Sequence, residues 1–428
     1  MSRPEESRRD LATVAVPLAG SLQATGNPWE PHRLVDPQGE TVQPVAAYLK
    51  DLQASGRSAA TQRSYGMDLL RWFRFCWAIQ VPWDQATRVE ARDFARRLQV
   101  ADKPGLQRRR TAKEAQPPNK RPAAGASNPV TGKPSPGRRY AAATAAHCES
   151  VLRHFYDFHL AAGTGPIVNP FPLARAGRGR GANAHHNPMD PHRNQRAGQF
   201  RPRLSQRVPR SIPDEKFNEL FALLPSLRDR ALVAFWSSTG ARASELLGAR
   251  QGDADPGQQL VTVVRKGSRA LQPLPASPDA FVWLRLYQAQ FDGLVLVGRD
   301  EPLWWTLRRP FRALSYPAAR AMFLRANAAL GANWTLHDLR HTAAYRMARD
   351  PDMPLTDVQW VLGHAHLSTT QVYLSAPVED VIASILAHHA RQHHRDRGDR
   401  GDSKAAQAAP PLRYRPESLD ILFGRDRP

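Results

Sequence analysis

Apolar residues recur at helical spacing through most of the stretch from Pro44 to Val100. VAAYLKDLQASG opens it, and SAATQRSYGMDLLRWFRFCWAIQ follows with Tyr65, Leu69, Trp72, Phe73 and Cys76 near one face. Ser58 precedes the second run, where its hydroxyl can satisfy unpaired backbone N–H groups, and predicts the N-cap. A third helix is predicted over Arg88 to Leu98, past a turn at Pro82. The periodicity returns at Tyr140, where Val151, Leu152, Phe155 and Phe158 mark a fourth helix ending near Gly163. In the second half, a helix over EKFNELFALL with Ser211 or Asp214 as N-cap is followed by ALVAFWSSTGARASELLGAR, which Gly240 divides. LVTVVRKGSRALQPLP is the one clear β-hairpin, with Lys-Gly-Ser at its tip. Helical patterns then run through FVWLRLYQAQF, AARAMFLRANAALG, LHDLRHTAAYRMARD, LTDVQWVLGH, TTQVYLSA and VEDVIASILAHHA. In the last of these the apolar Val381, Ile382, Ile385 and Leu386 suit packing on a neighbouring copy or within the chain.

Two stretches break the pattern. Residues 101–139 carry ten Lys or Arg against Asp102 and Glu114, with several prolines, and read as a loop insertion. Residues 174–210 hold nine arginines and a single acid, Asp190, in a Gly/His/Pro mixture that cannot bury a core. The chain therefore divides into an N-terminal tail (1–43), a helical domain (44–173) with the insertion 101–139, a basic linker (174–210), a second domain (211–390) and a C-terminal tail (391–428).

Composition sharpens the choice of partner. Sixty basic residues against 39 acidic ones give a net charge of +21, a field that favours a polyanion through attraction and counterion release. Nucleic acid is the default, since no stretch has the length of apolar chain that spanning a bilayer needs and no leader pattern opens the chain. The two cysteines, Cys76 and Cys148, stand 72 positions apart, which argues against a disulfide framework or a thiolate metal site and fits a reducing cytoplasm. His185, His186 and His192 read as solvated linker residues rather than metal ligands.

LGHAHLSTTQVYL places Tyr373 nine residues after His364. For a phenol to attack a DNA phosphate, the phosphate must be made electrophilic and a proton acceptor supplied, because the phenol pKa is about 10. Guanidiniums are the natural clamp for the charge gathering on the phosphate oxygens, and a lysine on a hairpin tip can protonate the leaving oxygen. Such residues occur in TGARASELLGAR (Arg242), VVRKGSR (Lys266), LHDLRHT (His337, Arg340) and LGHAHLSTTQVYL (His364, Tyr373). His337 and Arg340, three apart, share a helix face. Ser368 and Gln371 fit a capping box, which predicts a helix starting there with Tyr373 in its second turn. Taken singly, each residue has a plainer reading. Arg242 could pair with Glu245, His337 with His341 could hold zinc but for the missing third ligand, and Tyr345, the rival nucleophile, suits core packing.

Together, in this order and with these separations, the segments resemble the tyrosine recombinase, or phage integrase, family. The resemblance is strong over about 211–385 and looser over 44–173, which is similar to the family's helical core-binding (SAM-like) domain. It implies a mainly α fold with a small β-hairpin or sheet, in which an α+β catalytic domain and the helical domain form a two-domain clamp on DNA. It further implies that Arg242 and Arg340 hold the scissile phosphate, that His337 accepts or relays the tyrosine proton, and that Lys266 is the general acid. His364 would hydrogen-bond the phosphate, and Tyr373 would form a 3′-phosphotyrosyl link needing no cofactor and no metal. Where the family hairpin commonly continues with a further Lys and Arg, KGSRALQPL is shorter and lacks the later Arg. Arg63, Arg71, Arg74, Arg138, Arg139, Arg265 and Arg269 are the candidate DNA-contacting residues. The implied protein is a site-specific recombinase of a mobile element, acting as a homo-tetramer on double-stranded DNA target sites, with accessory recombination proteins as further candidate partners. A catalytically inactive DNA-binding relative and a type IB topoisomerase-like relaxing enzyme are the alternatives.

Overall fold

The computed structural model describes residues 16–103, 125–135, 137–174, 197–204, 210–374 and 385–387. They form two compact units that divide between residues 207 and 208, the short stretch Asn327–Asn333 going with the first. The fold is mainly helical with small antiparallel sheets, as expected.

The first unit is built on four helices, α1 (Gln43–Ala54), α2 (Ala59–Ile79), α3 (Arg88–Val100) and α4 (Ala142–Ala161). Ser58 caps α2 by accepting a hydrogen bond from the Thr61 N–H. Thr87 and Glu90 form a capping box at α3. The periodic apolar positions converge as the sequence pattern requires: Leu69, Trp72, Phe73, Phe75, Leu152 and Phe155 are all buried in one cluster. Polar atoms in that cluster are paired, since the Trp72 indole donates to the Tyr156 hydroxyl at 2.9 Å, which donates to the Trp83 carbonyl at 2.8 Å. Cys76 and Cys148 are buried free thiols whose pKa values burial pushes up.

Structure extends into three of the segments read as irregular. Part of the segment read as an N-terminal tail is structured: β1 (Ser21–Ala24) pairs antiparallel with β2 (His32–Val35), and Leu34 is buried in the helical core. The end of the stretch read as a linker is also docked, because Leu173 bridges to Gly198 and Phe200 packs on the same core. Gly198 lies so close over Glu149 that a Cβ there would fall 1.6 Å from its carboxylate oxygen. Of the insertion, Asp102 and Arg139 form a bridge at its neck and Ser127 bridges to Pro134. The histidines 185, 186 and 192 and the tail 391–428 lie outside the described residues, as does the predicted helix 378–390 apart from Ile385–Ala387, which are helical.

In the second unit, α5 (Asp214–Ala222) leads to α6 (Leu227–Thr239), whose Ala231 to Trp236 are buried on every side. Such a helix needs partners all round. They include α8 (Pro278–Gln290) and α10 (Leu336–Arg349), while α7 (Ala243–Leu247) follows directly after Gly240 ends α6 in the left-handed conformation at φ +61°. The sheet is β3 (Ala254–Asp255), β4 (Leu260–Val264) and β5 (Leu271–Pro275) in that order, with Val264 opposite Leu271 so that residues 265–270 form the tip. The remaining helices are α9 (Tyr316–Ala329), α11 (Leu355–Leu362) and α12 (Leu367–Gln371).

Phe155 is fully buried among aromatic rings of α1, α2 and the Trp83 turn. Phe155→Ala should destabilise the first unit by about 3–5 kcal/mol, read as a lowered urea midpoint for that unit in the full chain. A shift below about 1 kcal/mol would mean that the cluster does not carry this unit's stability.

Candidate active site

Glu245, in the first turn of α7, is 4% exposed and is the carboxylate around which the site is assembled. Its two oxygens accept from the Arg242 guanidinium (2.8 Å), the Arg242 backbone N–H (2.9 Å), the Arg265 guanidinium (3.0 Å) and the Lys266 backbone N–H (3.0 Å). Burial works to raise its pKa, but the two backbone N–H donors and Arg242 outweigh it, and the carboxyl is held below its ordinary range. Arg242 is thus fixed at the N-terminus of α7, and Lys266 is anchored at the hairpin tip by its backbone while its side chain is exposed.

Arg340, on α10, is 2% exposed. Its guanidinium donates to the carbonyls of Gly240 (2.7 Å) and Leu362 (2.6 Å) and to His364 Nε2 (3.1 Å). Gly240 is the residue that ends α6, and Leu362 ends α11, so two helix C-termini present their free carbonyls to this cation. Burial first, then repulsion from Arg242, push its pKa down to about 10, which leaves it charged at neutral pH. Among the described residues, Glu245 is the carboxylate that hydrogen-bonds Arg242 and Arg265, and Arg340 bonds neutral acceptors. Two guanidiniums therefore share one carboxylate, and the third, Arg340, is held by neutral acceptors.

His364 is oriented by two contacts. Its Nε2 faces the Arg340 guanidinium, which can only donate, so Nε2 accepts and Nδ1–H donates to the Thr370 hydroxyl at 3.0 Å. Burial and the neighbouring Arg340 and Arg242 charges drop its pKa to about 4. Its ring lies nearly parallel to that of Tyr373, 7° apart with centroids at 6.4 Å.

Tyr373 is 5% exposed and packs on Ala344, Val358 and Leu362. Burial raises its pKa, while Arg340 and Arg242 oppose the rise. Its hydroxyl is 2.8 Å from Nδ1 of His341, one residue past Arg340 on α10. His337, an exposed residue one turn earlier, meets the His341 ring edge-on at 4.4 Å. The helix before Tyr373 differs from the expected one. It starts at Leu367 with His366 as N-cap, has no side-chain cap at Ser368, and ends at Gln371, so Tyr373 lies in the turn beyond it. Tyr345, the rival nucleophile, lies against the Arg349 guanidinium, 4.4 Å from its ring centroid.

Arg242, Lys266, Arg340 and His364 are thus brought together through Glu245 and the Gly240 and Leu362 carbonyls, Tyr373 is joined to α10 through His341, and His337 meets the His341 ring. The expected surface arginines divide. Arg63 and Arg269 are exposed, and Arg138 and Arg139 are exposed at the neck of the insertion. Arg265 is the correction: at 4% exposed it ties Glu245, Gln272 and the Val361 carbonyl together and cannot meet DNA at the surface. Arg74 is similarly occupied, its guanidinium donating to the carbonyls of Leu18, Ala19 and Gly20, and Arg71 pairs with Asp68. From the sequence, Glu245 was legible only as a local partner of Arg242, Arg265 only as a surface cation and His341 only as a neighbour of His337, because the contacts that draw them into the site reach 20 to 96 positions along the chain. For Glu245 and His341 the further signal was adjacency, since each stands within three residues of Arg242 or Arg340.

The His364 environment has a measurable consequence. In the DNA-free protein its imidazole should titrate near 4, apart from ordinary histidines near 6.5. Because the depressed value means the unfolded chain takes up this proton more readily, stability falls as pH drops from about 6.5 to about 4 and is restored above that window. NMR of the His364 ring carbon through this range checks it, and a midpoint near 6.5 would show that the cations do not surround the ring.

Comparison with known proteins places the chain in a family. The phage integrase family model matches residues 210–379, and the model for the phage integrase N-terminal SAM-like domain matches 45–114, together more than half of the chain. Tyrosine recombinase XerD of Neisseria meningitidis serogroup B is 27% identical over 198 residues, 44% of this chain and 66% of the relative. Tyrosine recombinase XerC of Xylella fastidiosa is 33% identical over 191 residues, 42% of this chain and 60% of the relative. The matches thus span somewhat under two thirds of these relatives' lengths. Among solved structures, the Tn1549 transposon integrase in complex with circular intermediate DNA has a TM-score of 0.51 at 14% identity, covering 80% of this chain and 98% of that one. A lambda integrase dimer bound to a COC′ core site has a TM-score of 0.50 at 15% identity, covering 94% and 99%. These two likenesses speak for the fold. The chain belongs to the phage integrase family, the tyrosine recombinases.

Proposed function

We propose that this protein is a site-specific DNA recombinase that cuts and rejoins strands through a 3′-phosphotyrosyl link on Tyr373. The observation that carries this reading is the excess of fixed positive charge around Arg340, beside the hydroxyl of a buried tyrosine. A buried guanidinium without a carboxylate of its own is costly, by several kcal/mol on desolvation grounds. A phosphodiester, carrying one negative charge, is the partner that relieves it.

Arg242 and Arg340 would bind the non-bridging oxygens and stabilise the charge that grows on them as the tyrosine oxygen attacks. Lys266, free to swing from its anchored backbone, would protonate the departing 5′-oxygen. An anion in place would raise the His364 pKa by attraction and turn the Arg340 fork away from Nε2, so that His364 could become a donor to the phosphate. The covalent link conserves the bond energy for religation to a new strand. The guanidiniums supply the charge neutralisation this chemistry needs.

Exchange between two duplexes involves four strand cuts, each using one tyrosine, which supports a tetramer on paired double-stranded target sites. Relatives include a transposon integrase, which favours a mobile-element role, with accessory recombination proteins as further partners. The family's work on DNA would place the protein with the chromosome in the cytoplasm, and among the described residues no helix is long and apolar enough to cross a membrane. We assign residues 44–173, with the docked ends of the flanking segments, to the core-binding domain and 211–390 to the catalytic domain. Arg63, Arg138, Arg139 and Arg269 are the exposed candidates for phosphate contact.

Tyr373→Phe should abolish covalent adducts on a nicked suicide substrate while gel-shift affinity stays within about twofold. Arg340→Ala should slow adduct formation by about 10³-fold or more. Adducts that persist in Tyr373→Phe would refute the assignment. Equal relaxation of a supercoiled plasmid with or without a target site would favour the topoisomerase reading, and unimpaired DNA binding with no adduct in the wild type would favour the inactive one.

A further inference from the structure

The family resemblance assigns the tyrosine proton to His337, yet the side chain on the Tyr373 hydroxyl is His341. Building on the proposed strand-cleavage function, we infer that His341 is the catalytic base that takes the Tyr373 proton during cleavage and returns it during religation. The assignment rests first on contact: Nδ1 of His341 lies 2.8 Å from the phenol oxygen, with the rings 5.7 Å apart and tilted by 46°. This is within the reach a general base requires. It rests second on need. The phenol is buried on Ala344, Val358 and Leu362, and burial keeps it protonated at neutral pH despite the nearby guanidiniums. It rests third on elimination among neighbours. His364, the other imidazole facing the tyrosine ring, has Nε2 turned to Arg340 and Nδ1–H to Thr370, so neither nitrogen is available. Arg340 and Arg242 carry no acceptor at all.

For the base to act, His341 must be neutral with its proton on Nε2, leaving the Nδ1 lone pair for the hydroxyl. In cleavage, the Oη–P bond forms as the Oη proton passes to Nδ1. The P–O5′ bond breaks, and the leaving oxygen takes a proton from the Lys266 ammonium. Religation reverses both transfers: Lys266 receives the proton of the attacking 5′-hydroxyl, the Oη–P bond breaks, and the His341 imidazolium returns its proton to the phenolate. The imidazolium formed midway sits beside a phosphorane-like centre that is gaining negative charge, so the transfer also places a cation where it stabilises the transition state. His337, edge-on to His341 at 4.4 Å, stands behind the base rather than on the hydroxyl.

The test compares His341→Gln, His341→Ala, Lys266→Ala and Tyr373→Phe in single-turnover cleavage at saturating protein. The substrates are an ordinary phosphodiester and one with sulfur in place of the bridging 5′-oxygen. Gln keeps a polar group at the tyrosine but cannot take up a proton, so both His341 variants should cleave about 100-fold more slowly than wild type. Sulfur leaves without an acid, and should restore Lys266→Ala but neither His341 variant. The His341→Gln rate should also climb roughly tenfold per pH unit, as for a phenol ionising unaided, where the wild type levels off. A damaged fold would not impose that slope. His341→Gln cleaving within about threefold of wild type, with the same pH profile, would overturn the assignment and leave the Tyr373 reading standing. Adduct formation by Tyr373→Phe would instead remove the reading beneath it.

Discussion

The second unit is organised by a charge imbalance. One buried carboxylate, Glu245, is shared by Arg242 and Arg265, while Arg340 lies deeper still and is held by carbonyl dipoles and a neutral imidazole. Desolvating guanidiniums is expensive, and in a purely structural pair the usual solution is one acid for each base. Here the shortfall is maintained by rigid elements. The ends of α6 and α11 aim their last carbonyls at Arg340, and the register of β4 and β5 brings Arg265 back onto Glu245. In the proposed reaction, an incoming phosphate would thus meet donors that the fold has already oriented rather than having to order them.

The same imbalance explains the behaviour of the two groups beside it. Burial, together with the nearby cations, drops the His364 pKa to about 4, and Arg340 and Arg242 among those cations oppose the rise that burial imposes on Tyr373. Burial without the arginines would leave an inert core tyrosine. Arginines without burial would leave a phenol exposed to water and competing reactions. Tyr373 follows α12, a five-residue helix, whereas the arginines sit on or beside longer elements. The proposed nucleophile is therefore on a lighter support than Arg340, in keeping with a group that would travel with the strand it captured.

Much of this was legible in the chain, for reasons that differ by element. The amphipathic helices of the first unit follow from the spacing of Leu69, Trp72, Phe73 and Phe155, since one apolar stripe had to be buried. The β1–β2 hairpin was not, because SLQA and HRLV are four-residue strands with no sustained alternation, stabilised by contact with α2 instead. The Ser368–Gln371 pattern misled in a related way. A capping box is a local preference, and the helix instead starts at Leu367, with His366 as N-cap. In the site, the residues that would face DNA were visible because their order along the chain carried the family resemblance. Those that hold them were not. Arg265 read as a surface cation because its chemistry is that of its neighbours, and only the fold, by placing the Val361 carbonyl and Glu245 around it, makes it internal.

Glu245 does one more thing that bears on mechanism. Its Oε1 accepts both from the Arg242 guanidinium and from the Lys266 backbone N–H. The proposed phosphate clamp and the root of the proposed general acid are therefore tied to a single atom, while the lysine side chain above that root stays exposed. A hairpin tip would otherwise be a poor platform for an acid that must reach one oxygen of one phosphate, because loop tips fluctuate and a displacement of about 1 Å can cost about 100-fold in rate. Anchoring the backbone through Arg242's own counter-ion makes the turn part of the charge cluster, so that in the proposed reaction what would position the phosphate would also position the proton donor.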